Sequence, residues 1–189
     1  GELYDTVFSL VTPIVTVVGA VDFSVISLYN RAYITFHDRV RGKLNEKVYV
    51  WDPSVMTAAR LAGGTAPLTG PTAATGAAGN VSGGKHLISV VFETNTGFIT
   101  KPGPSTQYTA PGNAQINLTA IPTGTVGIVT KRHILVTPII LSYDGNPQHY
   151  EHFFVATISD NTTTVLTINF IDSSLVQSAD YLYDQLESI

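Results

Sequence analysis

Between Asn113 and Ala120 the chain alternates without a break. Ala114, Ile116, Leu118 and Ala120 point one way, and Asn113, Gln115, Asn117 and Thr119 the other. A period of two residues is the mark of a strand with one dry face and one wet face. A dry face needs a second layer above it, so this segment already demands a sheet that packs on something. Ile121-Pro122-Thr123-Gly124 follows as a turn. The rest of this region offers strands at His86 to Thr94, Gly97 to Lys101, Val126 to Thr137, Tyr150 to Ile158 and Thr163 to Phe170. Asp144-Gly145-Asn146-Pro147 and Asp160-Asn161 punctuate them as turns. Short strands at this spacing predict an antiparallel β-sandwich over 85–172.

The N-terminal part, residues 1–60, reads as a separate β body of hairpins, either propeller-blade-like or a sheet extension. Its strands are Val7 to Val11, Ile14 to Val18, Phe23 to Tyr29, Arg31 to Phe36 and Val48 to Trp51, with a charged turn from His37 to Lys47. Residues 61–84 differ from both flanks: 19 of these 24 are Gly, Ala, Thr or Pro, and none is charged. So few bulky side chains bury little surface, which predicts a linker or long loop. Its one strand-like piece is Ala66 to Thr72.

The last residues change period. Leu175, Ala179, Leu182, Leu186 and Ile189 recur at spacings of four, three, four and three, an amphipathic helix over 173–189 capped by Asp172 or Ser173. The acidic Asp184 and Glu187 oppose the helix dipole at its C-terminal end, and the stripe is expected to dock on the N-terminal body or another subunit. The start at Gly1 and the break in pattern at Ile189 are those expected of a processed chain or of a piece of a longer one.

Composition narrows the function. The net charge is −4 from 10 Lys plus Arg against 14 Asp plus Glu, so there is no basic stripe for nucleic acid as a main partner. Charged residues make up 13%, about half the roughly 25% usual in globular chains, while hydrophobic ones reach 44%, a balance that excludes disorder. With no Cys there is no disulfide framework, thiolate nucleophile or Cys-based metal site. The longest apolar run, Val7 to Val21, is interrupted by Thr12, Pro13, Thr16 and Gly19 and falls short of a membrane span.

Chemistry-bearing motifs are sparse. His149-Tyr150-Glu151-His152 would split its two His across a strand, so no metal is expected. There is no Gly-x-Ser-x-Gly elbow and no phosphate-cradling glycine loop. Glu93, in an apolar strand, is read as hydrogen-bonded rather than catalytic. Tyr33, Tyr49 and Trp51 are a candidate aromatic contact site, as a sugar platform or as core anchors. No catalytic residue and no cofactor is expected.

Several strings in order carry a resemblance. They are Lys85 to Thr94, Gly97 to Pro104, Asn117 to Gly124, Lys131-Arg132-His133-Ile134 and Phe153 to Thr164. Over roughly residues 65 to 174 this resembles the Ig-like or fibronectin-III-like modules of tailed-phage virion proteins. Tyr29 to Thr35 and Val48 to Asp52 are similar to blade segments of tail-tube or nozzle-type proteins. The resemblance implies a virion location and a non-enzymatic structural subunit, most readily of the tail. Its partners would be further copies of itself and other virion proteins, with Leu175, Ala179, Leu182, Leu186 and Ile189 as the assembly stripe. Two other readings stay open. One is an extracellular fibre or pilus-like subunit that donates Val7 to Val18 as a strand. The other is an adhesion module in which Trp51 stacks on a host-surface glycan.

Overall fold

The computed structural model of the chain describes residues 2–3, 15–16, 22–38, 43–54 and 56–177. Contacts divide the chain into two units, Gly1–Gly64 and Thr65–Ile189. Among the described residues both are built from antiparallel sheets, as β-branched and aromatic residues on pleated surfaces favour.

In the first unit β1 (Glu2–Leu3) pairs with β2 (Val15–Thr16). The remaining strands, β3 (Asp22–Leu28), β4 (Arg31–Asp38), β5 (Lys43–Trp51) and β6 (Arg60–Leu61), line up in that order as one sheet. Strands β3 and β4 are joined by only Tyr29 and Asn30, both at positive φ (50° and 59°), the backbone of a type I′ hairpin turn. Of the charged turn expected from His37 to Lys47, residues 37–38 and 43–47 are strand. His37 faces Leu44 and Asp38 faces Lys43, so both strands run into it. Polarity alone does not end an antiparallel strand, because one face can stay in water. The small core gathers Val15, Ile34 and Phe36, with Ala32, Tyr49, Trp51 and Ala59 packed against it. Of the expected strands Val7 to Val11 and Ile14 to Val18, all but Val15 and Thr16 lie outside the described residues.

The second unit holds β7 (Thr72–Val81), β8 (Gly84–Thr94), β9 (Thr106–Ala110), β10 (Ala114–Thr119), β11 (Val129–Val136), β12 (Phe153–Ile158) and β13 (Leu166–Ile168). They form a three-stranded sheet, β13-β10-β7, and a four-stranded sheet, β12-β11-β8-β9. One apolar core takes side chains from both: Val81, Ile116, Leu118 and Ile168 from the first, and Val90, Phe92, Ile134 and Phe153 from the second. The alternation in β10 behaves as read, with Ile116 and Leu118 buried and Asn117 and Thr119 in water.

The linker reading of 61–84 is corrected. Ten of those residues are β7, paired along β10, and of the expected piece Ala66 to Thr72 only Thr72 is strand. The small residues answer to close packing. A Cβ on Gly79 would come within 2.7 Å of the Gln115 backbone nitrogen, and one on Gly76 within 2.9 Å of Asn117 Oδ1. A bulge sits here, where register shifts between Ala114 and Ile116. The strand expected at Gly97 to Lys101 is reduced to a bridge between Glu93 and Ile99. Backbone bonds from Thr100 N to Phe92 O and Gly103 N to Val90 O keep this segment along β8. Pro102 and Pro104, which have no N–H to donate, separate it from β9. Tyr150 to Ile158 begins as a strand only at Phe153, because Asn146 caps a 3-10 turn over Pro147–His149.

Helix α1 (Asp172–Gln177) is the described part of the C-terminal helix. Asp172 does not cap it: its Oδ2 accepts from the backbone N–H of Ile139, 3.2 Å away. No described helix is long and apolar enough to cross a membrane.

Candidate functional site

Strand β3 is the outlier of the molecule. It reads Asp-Phe-Ser-Val-Ile-Ser-Leu, and every one of its residues is exposed. Phe23 and Val25 each keep 46% of their surface in water, Leu28 51% and Ile26 69%. The register puts Phe23 opposite Phe36 and Val25 opposite Ile34, so these two continue the face of the small core, while Ile26 and Leu28 lie on the other face. Among the described residues β3 pairs only with β4, and its outer edge is open. Natural edges are blunted by Lys, Pro or bulges; β3 has no Lys and no Pro, and its pairing with β4 is continuous. Composition did not single out this strand, although the missing gatekeepers were visible in its letters.

The aromatic trio is not brought together. Tyr49 faces Ile34 and Trp51 faces Ala32, so both pack on the small core, and the Tyr49 ring meets Phe36 edge-on at 5.6 Å. Tyr33 faces Val50 and lies on the opposite side of the sheet. A three-ring sugar platform therefore does not form; two rings serve as core anchors. The helical stripe is corrected at its first member. Leu175 is buried in the core of its own sandwich, and Ala179, Leu182, Leu186 and Ile189 lie outside the described residues.

Three of the strings that carried the resemblance meet at one end of the sandwich. The Arg132 side chain, at 0% exposure, reaches three carbonyls: Nε to Asp160 O at 3.0 Å, Nη1 to Pro122 O at 3.1 Å, and Nη2 to Thr163 O at 2.6 Å. Asn161 bonds both backbone groups of Gly124, accepting from its N–H at 2.8 Å and donating to its carbonyl at 2.9 Å. The backbone N–H groups of Thr163 and Thr162, with the Thr163 hydroxyl, hold the Asp160 carboxyl far below the usual carboxylate range. This is a lock between two loops, its polar groups turned on one another.

On the outer face of the four-stranded sheet, Glu93 sits 2.8 Å from both Lys131 Nζ and His133 Nε2, and His133 Nδ1 is 3.0 Å from Thr157 Oγ1. Burial raises the Glu93 pKa, but the hydrogen bonds from Lys131 and His133 outweigh it and the net shift is downward. Glu93 is thus held ionised, as the hydrogen-bonded reading expects. Beside this row lies a cleft of about 610 Å³. Its floor includes Val91 and Leu135, and Pro102, Pro104, Tyr150 and His152 help to line it. Within it Ser105 Oγ is 2.6 Å from Ser89 Oγ and 3.4 Å from His152 Nε2. His152 Nδ1 lies 2.9 Å from the carbonyl two residues before it, Tyr150 O, so a carbonyl and not a carboxylate orients the ring. Burial keeps that imidazole below its ordinary pKa and hence neutral. The cluster can hydrogen-bond a polar group, and sequence reading missed it because Ser105 and His152 are 47 residues apart. His149 is not part of it, lying instead against Asp144 and Asn146. Among the described residues no group of three or more His, Cys, Asp or Glu is placed to hold a metal ion.

No family model, curated protein or solved structure matches this chain.

Proposed function

We propose that the protein is a non-enzymatic structural subunit of a tailed-phage particle, a tail component that assembles through exposed β surface. The observation that carries the assembly role is β3, among the described residues an unblunted edge strand with four apolar side chains in water. An edge of this kind is a template for strand addition, and leaving it bare invites aggregation. The tail context comes from the resemblance of residues 65 to 174 and of the Tyr29 to Thr35 hairpin, and it is the part of the reading that composition does not supply.

The strand order supports an Ig-like sandwich. In that fold strands B and E pair in one sheet, D lies beside E, and C′, C, F and G line up in the other. Here β7 and β10 stand as B and E and β9-β8-β11-β12 as C′-C-F-G, while β13 takes the place of D beside β10 but follows β12 in the chain, an addition to the Ig-like order. Strand A has no counterpart among the described residues.

The test is mass spectrometry and immunogold labelling of gradient-purified particles from the phage that encodes this sequence. The chain should be found in the particles and the label should decorate the tail. Its absence from purified particles would overturn the reading.

A further inference from the structure

Resting on that assembly reading, we propose that β3 is a two-fold interface, taking as its neighbour the β3 of a second copy of this chain, antiparallel and centred on Val25. The strand's own lettering selects this occupant. With Val25 facing Val25, Phe23 lies opposite the second copy's Ser27, Ser24 opposite Ile26 and Asp22 opposite Leu28. Each large apolar residue next to the centre then faces a small serine, and the pattern repeats itself under the two-fold. That is the self-complementarity an isologous contact needs. A parallel, in-register partner would instead set Asp22 beside Asp22 and Phe23 beside Phe23.

Charge agrees with the same choice. Asp22 is the strand's only charged residue and sits at one end. Antiparallel pairing holds the two copies of Asp22 six residues apart along the ladder, about 20 Å. Apolar continuity agrees as well. Phe23 and Val25 share the face of Ile34 and Phe36, so the two-fold joins the two small apolar faces into one strip across an eight-stranded sheet.

Because the chain has no Cys, one introduced thiol per copy reports the geometry cleanly. Directly opposed residues of an antiparallel pair have Cα atoms about 4.5–5.5 Å apart, within the roughly 4.4–6.8 Å that a disulfide spans. Val25→Cys in the full-length chain, oxidised mildly and run on non-reducing gels, should convert mostly to a covalent dimer. Leu28→Cys alone should stay monomeric, its two thiols being about 20 Å apart. Asp22→Cys combined with Leu28→Cys should restore the dimer. A Val25→Cys chain that stays monomeric, or a Leu28→Cys chain that dimerises as readily, would overturn the pairing. If Val25→Cys stays monomeric while the wild-type chain is recovered from particles, another strand occupies β3 and only the two-fold fails. If the cross-link forms and particles lack the chain, the tail reading fails and the two-fold stands.

Discussion

Arg132 Nη2 lies 3.1 Å from Asp160 Oδ1, and the two residues join opposite sides of a loop pair: the arginine has no exposed side-chain surface, while the aspartate keeps 44% of its own in water. The asymmetry decides what the pair does. A half-exposed carboxylate is screened, so the ion pair itself contributes little. The hydrogen bonds from the buried guanidinium to the carbonyls of Pro122, Asp160 and Thr163 matter more.

Arg132→Ala should therefore destabilise the second unit by about 3–5 kcal/mol, because three acceptors lose their donor and a large side chain leaves the interior. Arg132→Lys should recover only part of this, since one ammonium cannot span the positions of the planar fork. Asp160→Asn should cost less than either substitution. Urea unfolding of the full chain checks the ranking; equal losses for Asp160→Asn and Arg132→Ala would mean that the ion pair dominates.

The alternation that defined β10 gives the simplest core prediction. Leu118 is 1% exposed and packs between the two sheets. Leu118→Ala should cost about 2–5 kcal/mol from lost burial and the cavity left behind. Thr119→Ala, one residue on and in water, should change stability by less than about 0.5 kcal/mol. Thermal melts of the two variants should separate clearly.

How much could be read in advance depended on whether a residue's letter or its neighbour set its state. Ile116 and Leu118 announce a half-buried strand by themselves, and the turns at Asp144-Gly145 and Asp160-Asn161 announce themselves by chemistry. Strand β7 does not. Its Gly and Ala residues look like linker because the reason for them, β10 pressing on Gly76 and Gly79 where β7 bulges, lies about 40 residues away. Strand β9, Thr-Gln-Tyr-Thr-Ala, is an edge that among the described residues pairs only with β8, and it turns little apolar surface inward. The site was less legible still. Tyr33, Tyr49 and Trp51 look close in the sequence, yet the parity of the β4–β5 register sends Tyr33 to the other face, and no composition argument fixes that parity.

Gly79 tests the packing account of β7. An added Cβ would lie 2.6–2.8 Å from Gln115 and the Ala114 backbone carbon, and backbone cannot step aside. Gly79→Ala should destabilise the second unit by about 1–3 kcal/mol, although alanine is the less flexible residue and would stabilise a loose linker. Gly63→Ala, with open space around its Cβ, is the control and should be near neutral. Chemical denaturation that found Gly79→Ala neutral or stabilising would return 72–81 to the status of a loop.

His152 sets a pH dependence whose sign follows from burial. The buried ring disfavours the charged form, so its folded pKa lies below the ordinary 6.5. Between those two values the unfolded chain binds a proton that the folded chain does not. Stability contributed by the neutral ring is complete above the unfolded value and is lost as pH falls through the folded one. His152→Gln keeps a polar side chain beside Ser105 and removes the titration. The wild-type chain should lose more stability than His152→Gln on going from about pH 7 to about pH 5, all other titrating groups being common to both. Urea midpoints at the two pH values give the difference directly, and parallel losses would mean that the His152 ring takes up its proton as readily in the folded sandwich as in the unfolded chain.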